Sequence, residues 1–89
     1  MPSSHLPTED LRRLASELGR AGRVNDEALA GLDRSLAALE VKWSGAAQEA
    51  FYRQFQSLRP QMARLGVHLQ LVAQQVEALV QRFESVDRS

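Results

Sequence analysis

The chain has 89 residues, of which 25% are charged and 44% are apolar, and it contains no cysteine. This length suits a single domain, predicted to span 1–89. Eleven acidic and eleven basic side chains give a formal net charge of zero, which argues against generic nucleic-acid binding because neutralising phosphates needs a basic excess. The absence of cysteine excludes disulfide and thiolate chemistry, and no apolar run approaches the ~18 residues of a membrane-spanning helix.

The N-terminal stretch 1–7 is rich in proline and serine and is predicted to form a loose arm. It has neither a basic start nor an apolar segment, so a conventional signal peptide is not expected. Thr8 is the expected cap of the first helix, because its hydroxyl could accept a hydrogen bond from a free backbone N–H. Glu9 and Asp10 would favour the positive end of the same helix.

Apolar residues then recur at steps of three and four, which predicts a first helix over about 8–41. Asn25 interrupts the apolar face of this helix. Its amide either sets the register between packed helices or reaches water at the edge of the face. On the first helix, the residues assigned to the helix-packing and dimer seam are Leu11, Leu14, Leu18, Leu32, Leu36 and Leu39.

The pattern breaks at 42–45, which is predicted to be a tight turn. Gly45 permits a positive φ, and Ser44 could cap the helix that follows. A second helix is predicted over about 46–86, and its apolar stripe repeats every ~3.5 residues, as in coiled-coil packing. Pro60 either bends or splits this helix, and the unbroken phase of the stripe favours one bent helix. The stripe residues assigned to the helix-packing and dimer seam are Phe51, Phe55, Leu58, Met62, Leu65, Leu69, Val72, Val76 and Leu79.

The predicted fold is all-α, an antiparallel helix–turn–helix hairpin that dimerises into a four-helix bundle. One hairpin leaves much of its apolar stripe exposed, and pairing two hairpins covers it. The partner is either a second copy or a similar chain. Val67 and Leu71 lie opposite the stripe, and are either scattered exposed residues or a small partner-binding patch.

No constellation of residues predicts catalysis, a cofactor or a metal site. His5 lies in the arm, and His68 has no metal-ligating residue three or four positions away. Ser44 has no histidine base nearby in the sequence. The chain is therefore predicted not to be an enzyme. Trp43, in the turn, is either a lid on the end of the bundle or a recognition point for a partner.

The turn Trp43-Ser44-Gly45, placed between two long helices in a chain of this size, resembles the Trp-x-Gly turn of the WXG family. These early-secretory-antigen-like proteins are small helical hairpins exported by type VII secretion systems. Phe83 and Asp87 resemble the family's C-terminal export motif, Tyr-x-x-x-Asp/Glu, with phenylalanine in place of tyrosine. The resemblance extends from about residue 8 to residue 87.

The resemblance implies a non-enzymatic protein that is exported as a folded dimer and acts as a secreted substrate or as the targeting partner of a larger effector. Its partners would be a second copy or a similar WXG-type chain, the type VII secretion ATPase and a co-secreted effector. It would be cytoplasmic before export and then secreted or at the cell surface, without a Sec signal peptide. No cofactor, nucleic acid or integral membrane segment is expected.

Hairpin geometry adds a hypothesis about the export signal. If two hairpins pack antiparallel, Trp43 of one chain comes beside Phe83 and Asp87 of the other, and together they form a composite signal. The alternative is a cytoplasmic helical adaptor or chaperone-like module in which Trp43 is only a cap. A membrane-active amphipathic protein is a weaker alternative, because the polar faces carry no basic excess to attract anionic lipid.

Overall fold

The computed structural model describes residues 7–88, with side chains described as far as Val86. Two helices, α1 (Thr8–Glu40) and α2 (Ala46–Arg88), account for nearly all of this part. They pack side by side in a rod of 69 × 18 × 17 Å, and no strand occurs within residues 7–88. The predicted all-α hairpin is confirmed. The rest of the predicted arm, including His5, lies outside the described residues.

The start of α1 differs from the prediction, because Thr8 does not cap the helix. Pro7 occupies the N-cap position, and no side chain there makes a capping hydrogen bond. The N–H of Leu11 donates to the carbonyl of Pro7 at 3.0 Å. Because this carbonyl accepts the first helical bond, Thr8 is already inside the helix and lies one residue too late to act as its cap.

The turn between the helices reverses the chain within a few residues. The N–H groups of Lys42 and Trp43 both donate to the carbonyl of Leu39 at 2.9 Å. Gly45 has a φ of +108°, as predicted, and its carbonyl accepts the N–H of Glu49 at 3.1 Å. Gly45 therefore stands at the N-cap of α2. The predicted capping role of Ser44 is wrong, because Ser44 lies one residue before this position.

α2 continues through Pro60 as one helix, and the alternative of two shorter helices is wrong. Proline has no N–H to donate to the carbonyl four residues earlier, which here belongs to Gln56. In the same turn, Nε2 of Gln61 donates to the carbonyl of Ser57 at 3.2 Å. This bond goes to the carbonyl next to the one that the proline deprives of its helical donor.

The seam between α1 and α2 is built mainly from small residues. Its largest fully buried side chain is Val80, only 1% exposed. Small side chains let two helix backbones approach closely, so contacts are made by the backbone as well as by side chains. Apart from Gly19, the buried positions recur every seven residues along each helix. The buried residues are Ala15, Gly19, Gly22 and Leu29 in α1 and Gly66, Ala73 and Val80 in α2.

None of these buried residues belongs to the predicted packing set, and that set divides into two groups. One group is half-buried at the edges of the seam and comprises Leu11, Leu18, Leu36, Phe55, Met62, Leu69, Val72 and Val76. The other group is 37–49% exposed and comprises Leu14, Leu32, Leu39, Phe51, Leu58, Leu65 and Leu79. About half of the predicted helix-packing and dimer-seam residues thus pack at the edges of the hairpin seam, and the others stay exposed on the surface of the hairpin.

Two side-chain amides fix the relative position of the helices near the middle of the rod. Nδ2 of Asn25 donates to the carbonyl of Met62 at 2.7 Å, and Nε2 of Gln70 donates to the carbonyl of Gly19 at 3.1 Å. Sliding one helix along the other would break both hydrogen bonds. This geometry favours the register interpretation of Asn25 over the interpretation in which its amide reaches water.

Candidate recognition site at the turn and along the exposed face

Three aromatic rings cluster at the turn end of the rod. The ring of Trp43 lies 5.7 Å from that of Phe51 and 6.5 Å from that of Tyr52, in an edge-on arrangement. Such tilted and edge-on contacts suit the charge distribution of aromatic rings. The Tyr52 hydroxyl donates to the carbonyl of Leu36 at 3.4 Å, which joins the cluster to α1. The aromatic contacts thus hold Trp43 in place at the tip.

Trp43 is only half-buried by these contacts. Within residues 7–88, its indole N–H donates to no protein acceptor, and the neighbouring Ser44 and Gly45 are exposed. The ring contacts agree with the interpretation of Trp43 as a lid. The remaining exposed surface and the available donor agree with its interpretation as a recognition point, and the two roles are compatible.

The second predicted motif lies at the other end of the rod. Phe83 is half-buried, in the seven-residue column that contains Met62, Leu69 and Val76. Beside it, Glu84 forms an ion pair with Arg12, which joins the end of α2 to the start of α1. Asp87 follows one turn after Phe83 inside α2, and its side chain lies outside the described part.

One hairpin does not bring the two motifs together. Trp43 precedes the start of α2 and Phe83 lies near its end, so most of the 69 Å length separates them. A composite signal would therefore need a second chain. The packed position of Phe83 also agrees with a role in the seam of the hairpin.

Most of the exposed large apolar residues form a face that runs along both helices. We call it the apolar face. Near the turn, a hollow of about 300 Å³ lined by Leu32, Phe51, Gln54, Phe55 and Leu58 joins its α1 and α2 parts. Soluble monomers rarely expose so extensive an apolar surface unless another molecule covers it. Its members are Leu14, Leu32 and Leu39 on α1 and Phe51, Leu58, Leu65, Leu79 and Val86 on α2.

A bidentate ion pair crosses between the helices. Nε of Arg59 lies 3.0 Å from Oδ1 of Asp33, and Nη2 lies 2.8 Å from Oδ2. The hydrogen bond from Arg59 lowers the pKa of Asp33 below its ordinary value, and the positive charge of Arg59 acts in the same direction. Both side chains remain well exposed, so solvent screens the pair and limits its contribution to stability.

The described residues contain no cluster of three or more His, Cys, Asp or Glu that could hold a metal ion. His68 is exposed on α2. Within residues 7–88, neither helix is apolar enough over a sufficient length to cross a membrane.

The sequence prediction missed the small-residue seam and a hollow on the outer surface of α2, lined by Ala63, Arg64, Val67, His68 and Leu71. The seam has a weak signal in the sequence, the seven-residue spacing of its glycines and alanines. The hollow itself was not predicted, but two of its lining residues, Val67 and Leu71, were predicted to be exposed, and both are exposed.

Two long antiparallel helices joined by an aromatic turn define a small helical-hairpin protein. A family model described as proteins of 100 residues with WXG, WXG100, matches residues 7–88, and the chain belongs to this family. It is 31% identical over 80 residues to Protein YukE of Bacillus subtilis (strain 168), covering 90% of this chain and 82% of that protein. EsxA of Geobacillus thermodenitrificans, in crystal form I, is 33% identical with a TM-score of 0.87, covering 94% of this chain and 91% of that chain. The chain is thus a small helical protein of a secreted type.

Proposed function

We propose that this chain is a non-enzymatic protein that a type VII secretion system exports as a folded dimer. It acts outside the cytoplasm as a secreted substrate or as the targeting partner of a larger effector. The observation that carries the proposal is the display of Trp43, which is fixed by ring contacts at the tip yet only half-buried. A fixed aromatic ring with a free donor provides contact area to a partner at a low cost in conformational entropy.

The dimer in this proposal forms through the apolar face. Leu65 lies close to the middle of α2 and is 49% exposed. A two-fold axis near this point would place the two apolar faces against each other along the whole rod and produce a four-helix bundle. The second chain is another copy or a similar WXG-type chain.

The antiparallel dimer also brings the two ends of different chains together. The tip of one hairpin, with Trp43, would lie beside the end of the partner that carries Phe83 and Asp87. We propose that the secretion ATPase recognises this combined surface, which exists only when both chains are folded and paired. Before export the protein is cytoplasmic, and no Sec signal peptide is needed.

The experiment is an export assay in the native host with an N-terminal tag, which leaves the end of α2 free. The variants are Trp43→Ala and Asp87→Asn, each checked for folding by circular dichroism. The matched controls are Lys42→Ala, an exposed residue of the same turn, and Arg82→Ala, an exposed residue near the same end of α2. A cytosolic protein in the same samples reports lysis.

The proposal expects wild type and both controls in the culture medium, and it expects both motif variants to stay in the cytosol at the level of the lysis marker. Deleting the secretion ATPase should retain the wild type as well. If the wild type stays in the cytosol while the secretion system exports its other substrates, the proposal is wrong. The cytoplasmic adaptor would then be the better account of the fold.

A further inference from the structure

The outer surface of α2 carries a hollow that the proposed function does not use. It is lined by Ala63, Arg64, Val67, His68 and Leu71, and the last four are called its rim. The volume is about 450 Å³, which is ample for one large apolar side chain. We call it the outer hollow.

The spacing of the rim residues indicates what kind of element fits the outer hollow. Positions 64, 67, 68 and 71 are related as i, i+3, i+4 and i+7. In coiled coils, four residues of one helix with this spacing surround the hole that receives a single side chain, the knob, from a facing helix. The outer hollow therefore has the geometry of an unfilled hole and suits a helix better than an extended peptide.

The apolar part of the rim is open to solvent. Val67 is 64% exposed and Leu71 is 48% exposed. Each residue turns an α-helix by about 100°, so Val67 points roughly 200° away from Leu65 of the apolar face. A partner that covers the apolar face would consequently leave the Val67 and Leu71 side of the outer hollow open, whereas His68 lies only about 60° from Leu65 around the helix.

The charges around the outer hollow favour an acidic partner. α2 has no acidic residue between Glu49 and Glu77. Arg64 makes no ion pair within residues 7–88, and His68, also on the rim, is exposed. A second copy docked through the same hollow would bring two Arg64 side chains into one small site and supply no acidic residue from this part of α2, which is unfavourable.

We propose that the outer hollow is a docking site for an amphipathic helix of a different protein. The partner helix inserts one leucine-sized knob between Val67 and Leu71, and it carries Asp or Glu one turn away, facing Arg64 and His68. This inference stands apart from the proposed function, because it needs neither export nor the Trp43 turn.

The test uses the full-length chain and a fluorescein-labelled, stapled helical peptide of about 20 residues, long enough to be helical. The peptide has one central leucine with glutamates three and four residues to either side. Two comparison peptides replace the glutamates by lysine or the leucine by alanine. Binding is followed by fluorescence anisotropy. The protein variants are Val67→Asp and Arg64→Glu, with Arg34→Glu on α1 as the matched control, because Arg34 is exposed and makes no ion pair within residues 7–88.

The glutamate peptide is expected to bind the wild-type chain saturably. Its affinity should fall roughly tenfold or more for Val67→Asp and for Arg64→Glu but should not change for Arg34→Glu. The lysine and alanine peptides should bind the wild-type chain more weakly by a similar factor. Three results would overturn the proposal. The first is that the glutamate and lysine peptides bind equally well, or that neither peptide binds. The second is loss of a higher oligomer in Val67→Asp by sedimentation, which would assign the hollow to a second copy. The third is Arg64-dependent binding to phosphatidylglycerol vesicles without peptide binding, which would assign it to a membrane.

Discussion

At the scale of single residues, glycine has opposite consequences in the turn and in α1. Gly45 adopts a φ of +108°, a conformation that L side chains rarely adopt. Gly31 lies inside α1, and a Cβ added there would meet only Nη2 of Arg34, at 3.8 Å. The first glycine is required by the backbone, whereas the second only lowers the helix propensity.

Replacing these glycines should therefore change stability in opposite directions. Gly45→Ala should lower the free energy of unfolding by about 1–2 kcal/mol, because alanine is strained in the left-handed region. Gly31→Ala should raise it by up to about 1 kcal/mol through better helix propensity. Urea denaturation followed by circular dichroism measures both. If both substitutions changed the free energy of unfolding by the same amount and in the same direction, the positive φ of Gly45 would not be the reason why the turn needs glycine.

A second prediction concerns the fully buried Val80. Val80→Ala removes two methyl groups from the tightest part of the seam and should lower the free energy of unfolding by about 2 kcal/mol. Val41→Ala is the control, because Val41 is 83% exposed in the turn, and should change stability by less than about 0.5 kcal/mol. Chemical denaturation of the two variants side by side measures the difference. Comparable losses would contradict the burial of Val80 in the seam.

The two ends of the turn and the start of α1 could be predicted from the sequence only in part. The positive φ of Gly45 could be predicted, because glycine is the residue that adopts a positive φ without a steric penalty and Gly45 lies where the apolar repeat breaks. The caps assigned to Thr8 and Ser44 were wrong by one residue each. Capping depends on which carbonyl accepts the first helical hydrogen bond, and apolar periodicity does not locate a helix end that finely.

At the scale of elements, each helix carries two neighbouring sets of residues, one buried in the seam and the other exposed on the apolar face. The sequence predicted the bulky columns because leucine and phenylalanine dominate any apolar pattern. It missed the buried positions of Gly22 and Ala73 because glycine and alanine contribute little to such a pattern. The helices, their order and the turn could thus be predicted, whereas the division of apolar residues between seam and apolar face needed the structure.

The ion pair between Arg59 and Asp33 gives an element-scale prediction. The pKa of Asp33 is lowered in the folded chain, chiefly by its hydrogen bond from Arg59. The pair therefore stabilises the hairpin above the unfolded pKa, about 3.9, and its contribution is lost as the pH falls through the lower, folded pKa.

Arg59→Ala should lower stability at pH 7 by less than Val80→Ala does, since both partners are exposed. Its difference from wild type should shrink once the pH falls below about 4. Urea denaturation at a series of pH values measures this convergence. Arg53→Ala, which removes an arginine with no ion pair within residues 7–88, is the control. A difference that stays constant down to about pH 2 would refute the role of the ion pair.

At the scale of the whole molecule, the apolar face predicts the oligomeric state. The wild type should sediment at about twice its chain mass of 9.9 kDa. Leu65→Asp places a charge in the middle of the apolar face and should shift the protein to the mass of one chain. Val67→Asp introduces the same charge two residues further on but on the opposite side, and should leave the mass unchanged. A wild type that sediments as one chain would contradict the proposed dimer.

The candidate site could be predicted only in parts. The unusual position of Trp43 and its resemblance to a family turn were visible in the sequence. The ring contacts with Phe51 and Tyr52 depend on how α2 leaves the turn. The relation of Trp43 to Phe83 and Asp87 depends on a second chain, which no pattern within one chain specifies.

The elongated shape of the rod restricts how it could pass through an opening. End-on, the folded hairpin needs a width of only about 18 Å, whereas broadside it needs nearly four times as much. Passage without unfolding therefore requires alignment with the axis of a pore, with either the aromatic tip or the opposite end leading. Two hairpins side by side double one of the narrow dimensions, so the smallest pore diameter that transports the protein would report whether one chain or two travel together.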